Sequence, residues 1–266
     1  MTQSLIKPLS INDLAAMKQR GEKITCLTAY DASFSALIDK AGIDIMLVGD
    51  SLGMTIQGHV STLPVTINDM AYHARCVSQA RQRAFVVADL PFMTYSTIAK
   101  AADNAAKLMQ NGVQMVKLEG ARTEIVSFLA AQGIPVCGHL GLLPQSINQL
   151  GSYAVQGKEP VAADKIMADA LSLESAGAAL LVLECVPAQL AKAISVQLQI
   201  PVIGIGAGVD CDGQVLVLQD MLDISIGKIP RFAKNFMQDA GSILAALQNY
   251  HQAVKQGQFP AAEHSF

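Results

Sequence analysis

The chain has 266 residues, of which 51% are hydrophobic, and its 19 basic and 22 acidic residues give a net charge of −3. A chain this hydrophobic is not disordered, and the lack of a long basic run argues against a nucleic-acid or anionic-membrane partner. No apolar run is long enough to span a bilayer, and the N-terminal segment MTQSLIKPLS lacks the apolar core of a signal peptide.

The first predicted element is a short helix over residues 10–20. After it, short apolar runs recur, each followed by a helical pattern. The runs lack polar–apolar alternation, which is typical of strands buried on both faces of a parallel sheet. Eight such runs in a βα rhythm predict an α/β fold, a (β/α)8 TIM barrel, with residues 1–266 as one catalytic domain. The predicted strands cover residues 24–28, 44–48, 84–88, 114–118, 134–138, 179–183, 201–205 and 223–226.

Start and stop signals locate several helices. Thr66-x-x-Asp69 is a capping-box pattern that predicts a helix start, and the alanine-rich segment 97–110 ends at Asn111-Gly112, a helix stop. We expect the helix over residues 10–20 to close the floor of the barrel. After the eighth predicted strand, an amphipathic pattern predicts one long helix that includes Phe232, Phe236, Ala240, Ile243, Leu244 and Leu247.

Two long connections follow strands, at residues 51–66 and 140–160. In this fold the C-terminal ends of the strands carry the chemistry, and we expect these loops to form substrate walls or lids there. The five cysteines include no CxxC pair, so we expect reduced thiols and a cytoplasmic protein.

Charged residues end five neighbouring predicted strands. A single aspartate after a strand is often only a helix cap or a turn residue. Charges at the ends of five consecutive buried strands would be costly unless they were paired or bound to a metal ion. A barrel brings these positions together around one axis, so we expect one cluster of Asp50, Asp89, Lys117, Glu119, His139 and Glu184.

The residue types indicate a class of chemistry. Carboxylates without a cluster of His and Cys favour a hard divalent cation, namely Mg²⁺. Such an ion can hold an α-keto acid by two oxygens and stabilise its enolate, while Lys117 neutralises the substrate carboxylate. Glu184 follows a strongly apolar run and is the candidate general base.

The GIGAG turn at residues 204–208 has two interpretations. It could bind phosphate through backbone N–H groups, as loops in this part of a barrel often do. Alternatively, the glycines allow close backbone packing beneath a ligand, or they form a tight βα turn.

At these residues the chain resembles the ketopantoate hydroxymethyltransferase (3-methyl-2-oxobutanoate hydroxymethyltransferase) family. The resemblance covers nearly the whole chain and follows the family's order. It is carried by TAYDASFSALIDKAGID (28–44), VGDSLGM (48–54), QGHVSTLPVT (57–66), ADLPFMTY (88–95), MVKLEG (115–120), GHLGLLPQS (138–146), LECVP (183–187), GIGAG (204–208), PRFAKNF (230–236) and EHSF (263–266).

The resemblance implies transfer of a hydroxymethyl group from 5,10-methylenetetrahydrofolate to 3-methyl-2-oxobutanoate, which gives 2-dehydropantoate for pantothenate biosynthesis. It implies one Mg²⁺ per subunit and a homodecamer built as a dimer of pentamers. Glu184 would remove the C3 proton, and the enolate, stabilised by Mg²⁺, would attack the methylene carbon of the folate-derived iminium. Water would then release the hydroxymethyl product.

The resemblance also implies a role for particular residues. The implied metal-site residues are Asp50, Asp89 and Glu119. The implied substrate-binding residues are Asp50, Ser51, Asp89 and Lys117. His139 and Tyr30 match residues near the substrate whose roles are less defined.

Three departures from the family pattern concern loops. Val60 replaces a usual Asp, Leu143 replaces a usual Thr, and residues 219–223 replace a pattern that begins with His and ends with Gly. The alternative is another Mg²⁺-enolate barrel of the phosphoenolpyruvate mutase/isocitrate lyase type. That group carries a catalytic Cys in a long active-site loop, whereas residues 51–66 and 140–160 contain none. A non-catalytic barrel would be expected to have lost part of the acid cluster, yet every member is present.

Overall fold

The computed structural model describes residues 7–266. Residues 1–6 lie outside the described residues. The predictions that the N-terminal segment lacks a signal-peptide core and that the domain begins at residue 1 therefore concern residues that the structure does not describe. Eight parallel strands close into a barrel in sequence order, each paired with its neighbours and β8 paired with β1. The strands are β1 Ile24–Thr28, β2 Ile45–Val48, β3 Phe85–Asp89, β4 Met115–Glu119, β5 Val136–Gly141, β6 Leu180–Glu184, β7 Val202–Ile205 and β8 Gly213–Leu216.

Helices surround the barrel, and a short 3-10 helix, Pro144–Ser146, follows β5. The helices are α1 Ile11–Gln19, α2 Ala32–Lys40, α3 Leu52–Thr55, α4 Ile67–Ala80, α5 Ile98–Gln110, α6 Thr123–Ala131, α7 Ile147–Leu150, α8 Pro160–Ser175, α9 Ala188–Gln197, α10 Leu218–Met221 and α11 Ile243–Lys255. The capping box predicted at Thr66 is confirmed, since Thr66 accepts from the Asp69 N–H and Asp69 bonds back to Thr66. Among residues 7–266, no helix has both the length and the apolar character needed to cross a membrane.

Two apolar layers hold the barrel together. Alternate strand residues such as Phe85, Val87 and Met115 point inward and form one buried cluster. Leu14 and Met17 of α1 belong to the same cluster, so the helix predicted over residues 10–20 does close the barrel floor. The other strand residues pack outward against the helices in a second, larger cluster. This alternation decides which side chains reach the interior at the upper strand ends.

The eighth strand was predicted at the wrong place. It lies at Gly213–Leu216 and follows β7 after a short turn, without the intervening helix that a regular βα rhythm predicts. Its Gln214 made the run look polar, but that side chain is buried and donates to the Gly208 carbonyl at 2.9 Å. The predicted segment 223–226 is instead surface loop, with Ile224 and Ile226 55% and 77% exposed.

The long helix predicted from Phe232 to Leu247 is wrong in its first half. Residues 231–242 form turns and bends, and α11 begins after Ser242, whose hydroxyl accepts from the Ala245 N–H at 3.1 Å. The Asn235 side chain accepts from the Met237 N–H at 2.8 Å, a local bond that competes with helix formation. Phe236 still packs edge-on against Tyr250, at 5.5 Å between ring centroids.

The glycine-rich turn after β7 supports the close-packing interpretation. A Cβ on Gly204 would lie 2.8 Å from Cys211 Sγ, so a side chain there would displace the turn that leads into β8. No helix begins directly after this turn, and the segment therefore lacks the helix N-terminus that strengthens a phosphate site.

A buried carboxylate with two partly exposed cationic partners stabilises the barrel floor. The Asp44 carboxylate, which is fully buried, accepts from Arg83 Nη2 at 2.7 Å, Lys255 Nζ at 2.8 Å and Thr25 Oγ1 at 2.9 Å. Burial alone would raise the pKa of Asp44, but Lys255, with Thr25 and Arg83, outweighs it and holds this pKa below its usual range. Ionised Asp44 therefore stabilises the fold at neutral pH, and this contribution is lost as the pH falls through the lowered pKa.

Replacing Asp44 with asparagine is expected to lower the free energy of unfolding by about 1.5–3 kcal/mol at neutral pH, the usual contribution of hydrogen bonds to a charged group. The difference from wild type should shrink in acid, where Asp44 is protonated in both states. Urea denaturation at several pH values measures both effects. Asp103→Asn on the exposed face of α5 is the matched control and should be near neutral. Equal stability of Asp44→Asn and wild type at neutral pH would contradict this account.

Candidate active site

The barrel brings the predicted cluster together at the upper ends of β2 to β6. Asp89, Lys117, Glu119, His139 and Glu184 share the inward parity of their strands. Strand register places Asp89 opposite Lys117 and Glu119 opposite His139. All of these side chains, with Asp50 and Ser51, line one cavity of about 1090 Å³. The prediction that these residues form a single cluster is confirmed.

Lys117 is the cationic centre of the cluster. Its ammonium group pairs with Asp89 Oδ1, and both side chains are buried. The second Asp89 oxygen accepts from the Asp50 backbone N–H at 3.0 Å, so Asp89 joins the ends of β2 and β4. Burial alone would lower the pKa of Lys117, but the carboxylates of Asp89, Asp50 and Glu119 outweigh it and raise this pKa, so the ammonium stays charged.

Asp50 lies at the tight turn after β2. A Cβ on Gly49 would lie 2.8 Å from Ser51 Oγ, so a larger residue before Asp50 would displace the Ser51 hydroxyl. Burial, followed by the charges of Asp89 and Glu119, raises the pKa of Asp50 well above its usual range. The site thus holds more negative charge than Lys117 alone compensates.

His139 lies between two carboxylates. Its Nε2 is 3.2 Å from Glu184 Oε2, and its Nδ1 is 3.6 Å from Glu119 Oε1. The Nδ1 contact is too long for a hydrogen bond, and the Nε2 contact lacks hydrogen-bond geometry. Burial and Lys117 would lower the pKa of His139, but Glu119 and Glu184 outweigh them and raise it to about 9, which favours an imidazolium here. Glu184 is 17% exposed and faces the cavity.

Tyr30 contacts Ser51, the residue that follows Asp50. The two hydroxyl oxygens are 2.8 Å apart, and Tyr30 is almost fully buried. Burial raises the pKa of Tyr30 to about 12, so its hydroxyl stays protonated and can orient Ser51. Tyr30 therefore affects the cavity by orienting the hydroxyl of Ser51, which lines it.

Two side chains that had not been singled out complete the site. Gln145, in the 3-10 helix after β5, donates from Nε2 to Asp50 Oδ2 at 2.8 Å. Tyr95, in the loop after β3, donates to Gln145 Oε1 at 2.5 Å. Both belong to motifs of the family resemblance, but an uncharged amide and a phenol after a strand carry no pattern that marks them as functional.

The two long loops form cavity walls, as predicted. Gly58, His59 and Val60 line the cavity from one side, and Pro144 and Tyr153 line it from the other. Val60, one of the departures from the family pattern, is 93% exposed at the rim. Asp220, within the segment 219–223 that also departs, is buried and lines the cavity near β8. These departures lie on the walls of the cavity and outside the charged cluster.

The donors available to a cation are carboxylates. Within residues 7–266, no three His, Cys, Asp or Glu side chains are arranged as a complete ligand set. Mg²⁺ does not need one, because it binds through one or two carboxylates and completes its shell with water and substrate oxygens. Excess negative charge around Asp50 fits a divalent cation, whose charge would favour ionised Asp50.

Comparison with solved structures shows the same fold in other enzymes. Phosphonopyruvate hydrolase in complex with oxalate and Mg²⁺ matches with a TM-score of 0.61 at 11% identity, over 79% of this chain and 81% of that chain. Phosphoenolpyruvate phosphomutase from Streptomyces platensis subsp. rosaceus matches with a TM-score of 0.61 at 12% identity, over 81% of this chain and 83% of that chain. At such low identity these likenesses concern the barrel alone.

Sequence comparison is far more specific. The chain is 58% identical to 3-methyl-2-oxobutanoate hydroxymethyltransferase of Alkalilimnicola ehrlichii over 98% of this chain and 95% of that protein. It is 57% identical to the enzyme of that name from Thiobacillus denitrificans, over 97% of this chain and 100% of that protein. The sequence model described as Ketopantoate hydroxymethyltransferase matches residues 8–262. With its acid cluster intact and its relatives more than half identical, the chain belongs to the ketopantoate hydroxymethyltransferase family.

Proposed function

We propose that the chain transfers a hydroxymethyl group from 5,10-methylenetetrahydrofolate to 3-methyl-2-oxobutanoate and so forms 2-dehydropantoate. Residues 1–266 act as one catalytic domain. The observation that carries the proposal is the buried Asp50–Asp89–Lys117 cluster, which lines the same cavity as Glu184. The residue types that would hold a keto acid and the one that would remove its proton line a single cavity.

In this proposal Asp50 and Asp89 hold Mg²⁺, one ion per subunit, and Glu119 supports the metal site. When bound, Mg²⁺ would polarise the keto group and stabilise the enolate. The carboxylate-rich donor set and the raised pKa of Asp50 support this assignment, since a cluster short of positive charge favours a divalent cation.

The protein's own groups bind and orient the keto acid. Lys117 neutralises the substrate carboxylate, and the Ser51 hydroxyl, oriented by Tyr30 at 2.8 Å, donates to it. Glu184 removes the C3 proton, since its carboxylate faces the cavity and lies 3.2 Å from His139 Nε2. The raised pKa of His139 keeps a positive charge 3.2 Å from Glu184 Oε2, where it can hold this carboxylate in place.

The remaining cavity accommodates the folate. About 1090 Å³ is far more than a small keto acid fills, and Tyr153 and Phe232 also line this space. The proposal includes assembly as a homodecamer of two pentamers, as the family resemblance implies. A cytoplasmic location stays a prediction of the sequence.

Deuterium exchange tests the proposed first step without folate. We expect Mg²⁺-dependent exchange at C3 of 3-methyl-2-oxobutanoate in heavy water, because proton removal precedes attack on the folate carbon. Exchange should stop when EDTA is added. No exchange in the presence of Mg²⁺, at a protein concentration that forms product when folate is supplied, would overturn the proposed order of steps.

A further inference from the structure

Gln145 connects the ends of four consecutive strands. Its Nε2 donates to Asp50 Oδ2 after β2 at 2.8 Å and to the Leu90 carbonyl after β3 at 3.0 Å. Its backbone N–H donates to Glu119 Oε2 on β4 at 3.1 Å, and the residue itself follows β5. Gln145 is only 6% exposed, so these contacts are shielded from water.

The orientation of the Gln145 amide is determined by its partners. The Leu90 carbonyl can only accept, and both protons of Nε2 are used by Leu90 and Asp50. The amide oxygen accepts from the Tyr95 hydroxyl at 2.5 Å, and Tyr95 in turn accepts from the Glu119 N–H at 3.4 Å. Every donor and acceptor of the amide group is thus matched. A flipped amide would place its oxygen against two oxygens, those of Asp50 and Leu90, and would turn an N–H group toward the Tyr95 hydroxyl.

We propose that Gln145 is a positioning residue that holds the Asp50 carboxylate in the rotamer required for Mg²⁺ and the keto acid, and that Tyr95 sets its orientation. The inference rests on the proposed function, because it concerns the same Asp50. Asp50 receives no other side-chain hydrogen bond among the described residues than the one from Gln145. Without it, the carboxylate would be free to turn toward Lys117 or away from the cavity.

Outer partners of metal ligands affect affinity by about 10- to 100-fold, which sets the expected effect. We expect Gln145→Met, which keeps the side-chain length but removes the hydrogen bonds of the amide to Asp50, Leu90 and Tyr95, to weaken Mg²⁺-dependent binding of 3-methyl-2-oxobutanoate by that factor. Tyr95→Phe removes only the group that orients the amide and should act in the same direction but less strongly. Isothermal titration of the full chain with the keto acid, at a series of Mg²⁺ concentrations, measures both.

A double-mutant cycle separates positioning from a general packing defect. If Tyr95 acts through Gln145, adding Tyr95→Phe to Gln145→Met should cause no further loss of binding. The steady-state constants give a second readout, since positioning raises KM for the keto acid and the Mg²⁺ requirement more than it lowers kcat. Gln149→Met in α7 and Tyr72→Phe in α4 replace exposed side chains. These variants are the matched controls and should leave binding unchanged.

The outcomes are distinct. If Gln145→Met and Tyr95→Phe lower the melting temperature but bind the keto acid and Mg²⁺ as wild type does, Gln145 is only structural and the inference is wrong. If the losses of keto-acid binding are additive in the double mutant, Tyr95 does not act through Gln145, and that part of the inference is wrong. If wild type itself shows no Mg²⁺-dependent binding of the keto acid, the proposed function fails, and the inference fails with it.

Discussion

Replacing Glu184 with glutamine is expected to slow exchange of the C3 proton of 3-methyl-2-oxobutanoate by about 10²- to 10⁴-fold, the usual contribution of a general base. Glutamine has nearly the same shape as glutamate but no basic oxygen that can take a proton. Glu184 lies at the edge of the cluster, 17% exposed, and has one close charged contact, His139 Nε2 at 3.2 Å. The change should therefore leave the fold and the Asp50–Asp89–Lys117 cluster in place.

Binding and exchange must be measured together for this variant. Titration calorimetry should show that Glu184→Gln binds the keto acid and Mg²⁺ nearly as wild type does, while proton magnetic resonance in heavy water follows exchange. Glu124→Gln on the exposed first turn of α6 is the matched control and should exchange at the wild-type rate. If Glu184→Gln exchanged at the wild-type rate, Glu184 would not be the base.

Replacing Lys117 with methionine is expected to destabilise the protein by about 3–5 kcal/mol in the absence of divalent cations, because it leaves buried carboxylates without their ammonium partner. Lys117 and Asp89 are both about one-twentieth exposed, so water cannot take the place of the lost charge. Mg²⁺ should restore part of this stability, since it supplies positive charge to the same carboxylates. Keto-acid binding should stay weak, because the substrate carboxylate loses its cation.

Urea denaturation with and without Mg²⁺ tests this prediction. The gain in unfolding free energy on adding Mg²⁺ should be larger for Lys117→Met than for wild type. Lys100→Met, on the exposed face of α5, is the matched control and should behave as wild type in both conditions. A Lys117→Met protein as stable as wild type without Mg²⁺, or one that gains nothing from it, would contradict the view of Lys117 as the charge partner of the cluster.

The barrel could be predicted because its strands are apolar on both faces. The first seven predicted strands overlap the observed ones. Short uninterrupted apolar runs such as β2 and β6 are typical of strands that are buried on both faces of a parallel sheet. β8 was missed because its buried polar residue, Gln214, is satisfied by a backbone carbonyl that only the folded chain brings near. The apolar residues near Ile226 gave the sequence pattern of a buried strand, although they lie in an exposed loop.

The cluster could be predicted because parallel strands all deliver their last residues to one face. Parity then selects the inward side chains, and Asp89, Lys117 and Glu184 each follow from where an apolar run stops. The pairings within the cluster could not be predicted, since they depend on strand register and barrel curvature. His139 between Glu119 and Glu184 is such a case.

Gln145 and Tyr95 show the limit of reading residue types. Both gain importance from neighbours that are distant in the chain: Gln145 reaches Asp50 across 95 positions, and Tyr95 reaches Gln145 across 50. Neither residue is charged, and neither follows a strand directly. The specific keto acid and the folate came from the family resemblance, because spacing alone indicated only an acid-lined barrel suited to Mg²⁺.

The most direct test of the central claim is product formation from 3-methyl-2-oxobutanoate and 5,10-methylenetetrahydrofolate, with Mg²⁺ and with EDTA. We predict 2-dehydropantoate in the presence of Mg²⁺, its loss with EDTA, and its return when Mg²⁺ is added back in excess. Failure to form 2-dehydropantoate with Mg²⁺ present, or formation at an unchanged rate in EDTA, would contradict the claim that this carboxylate cluster performs a Mg²⁺-dependent hydroxymethyl transfer.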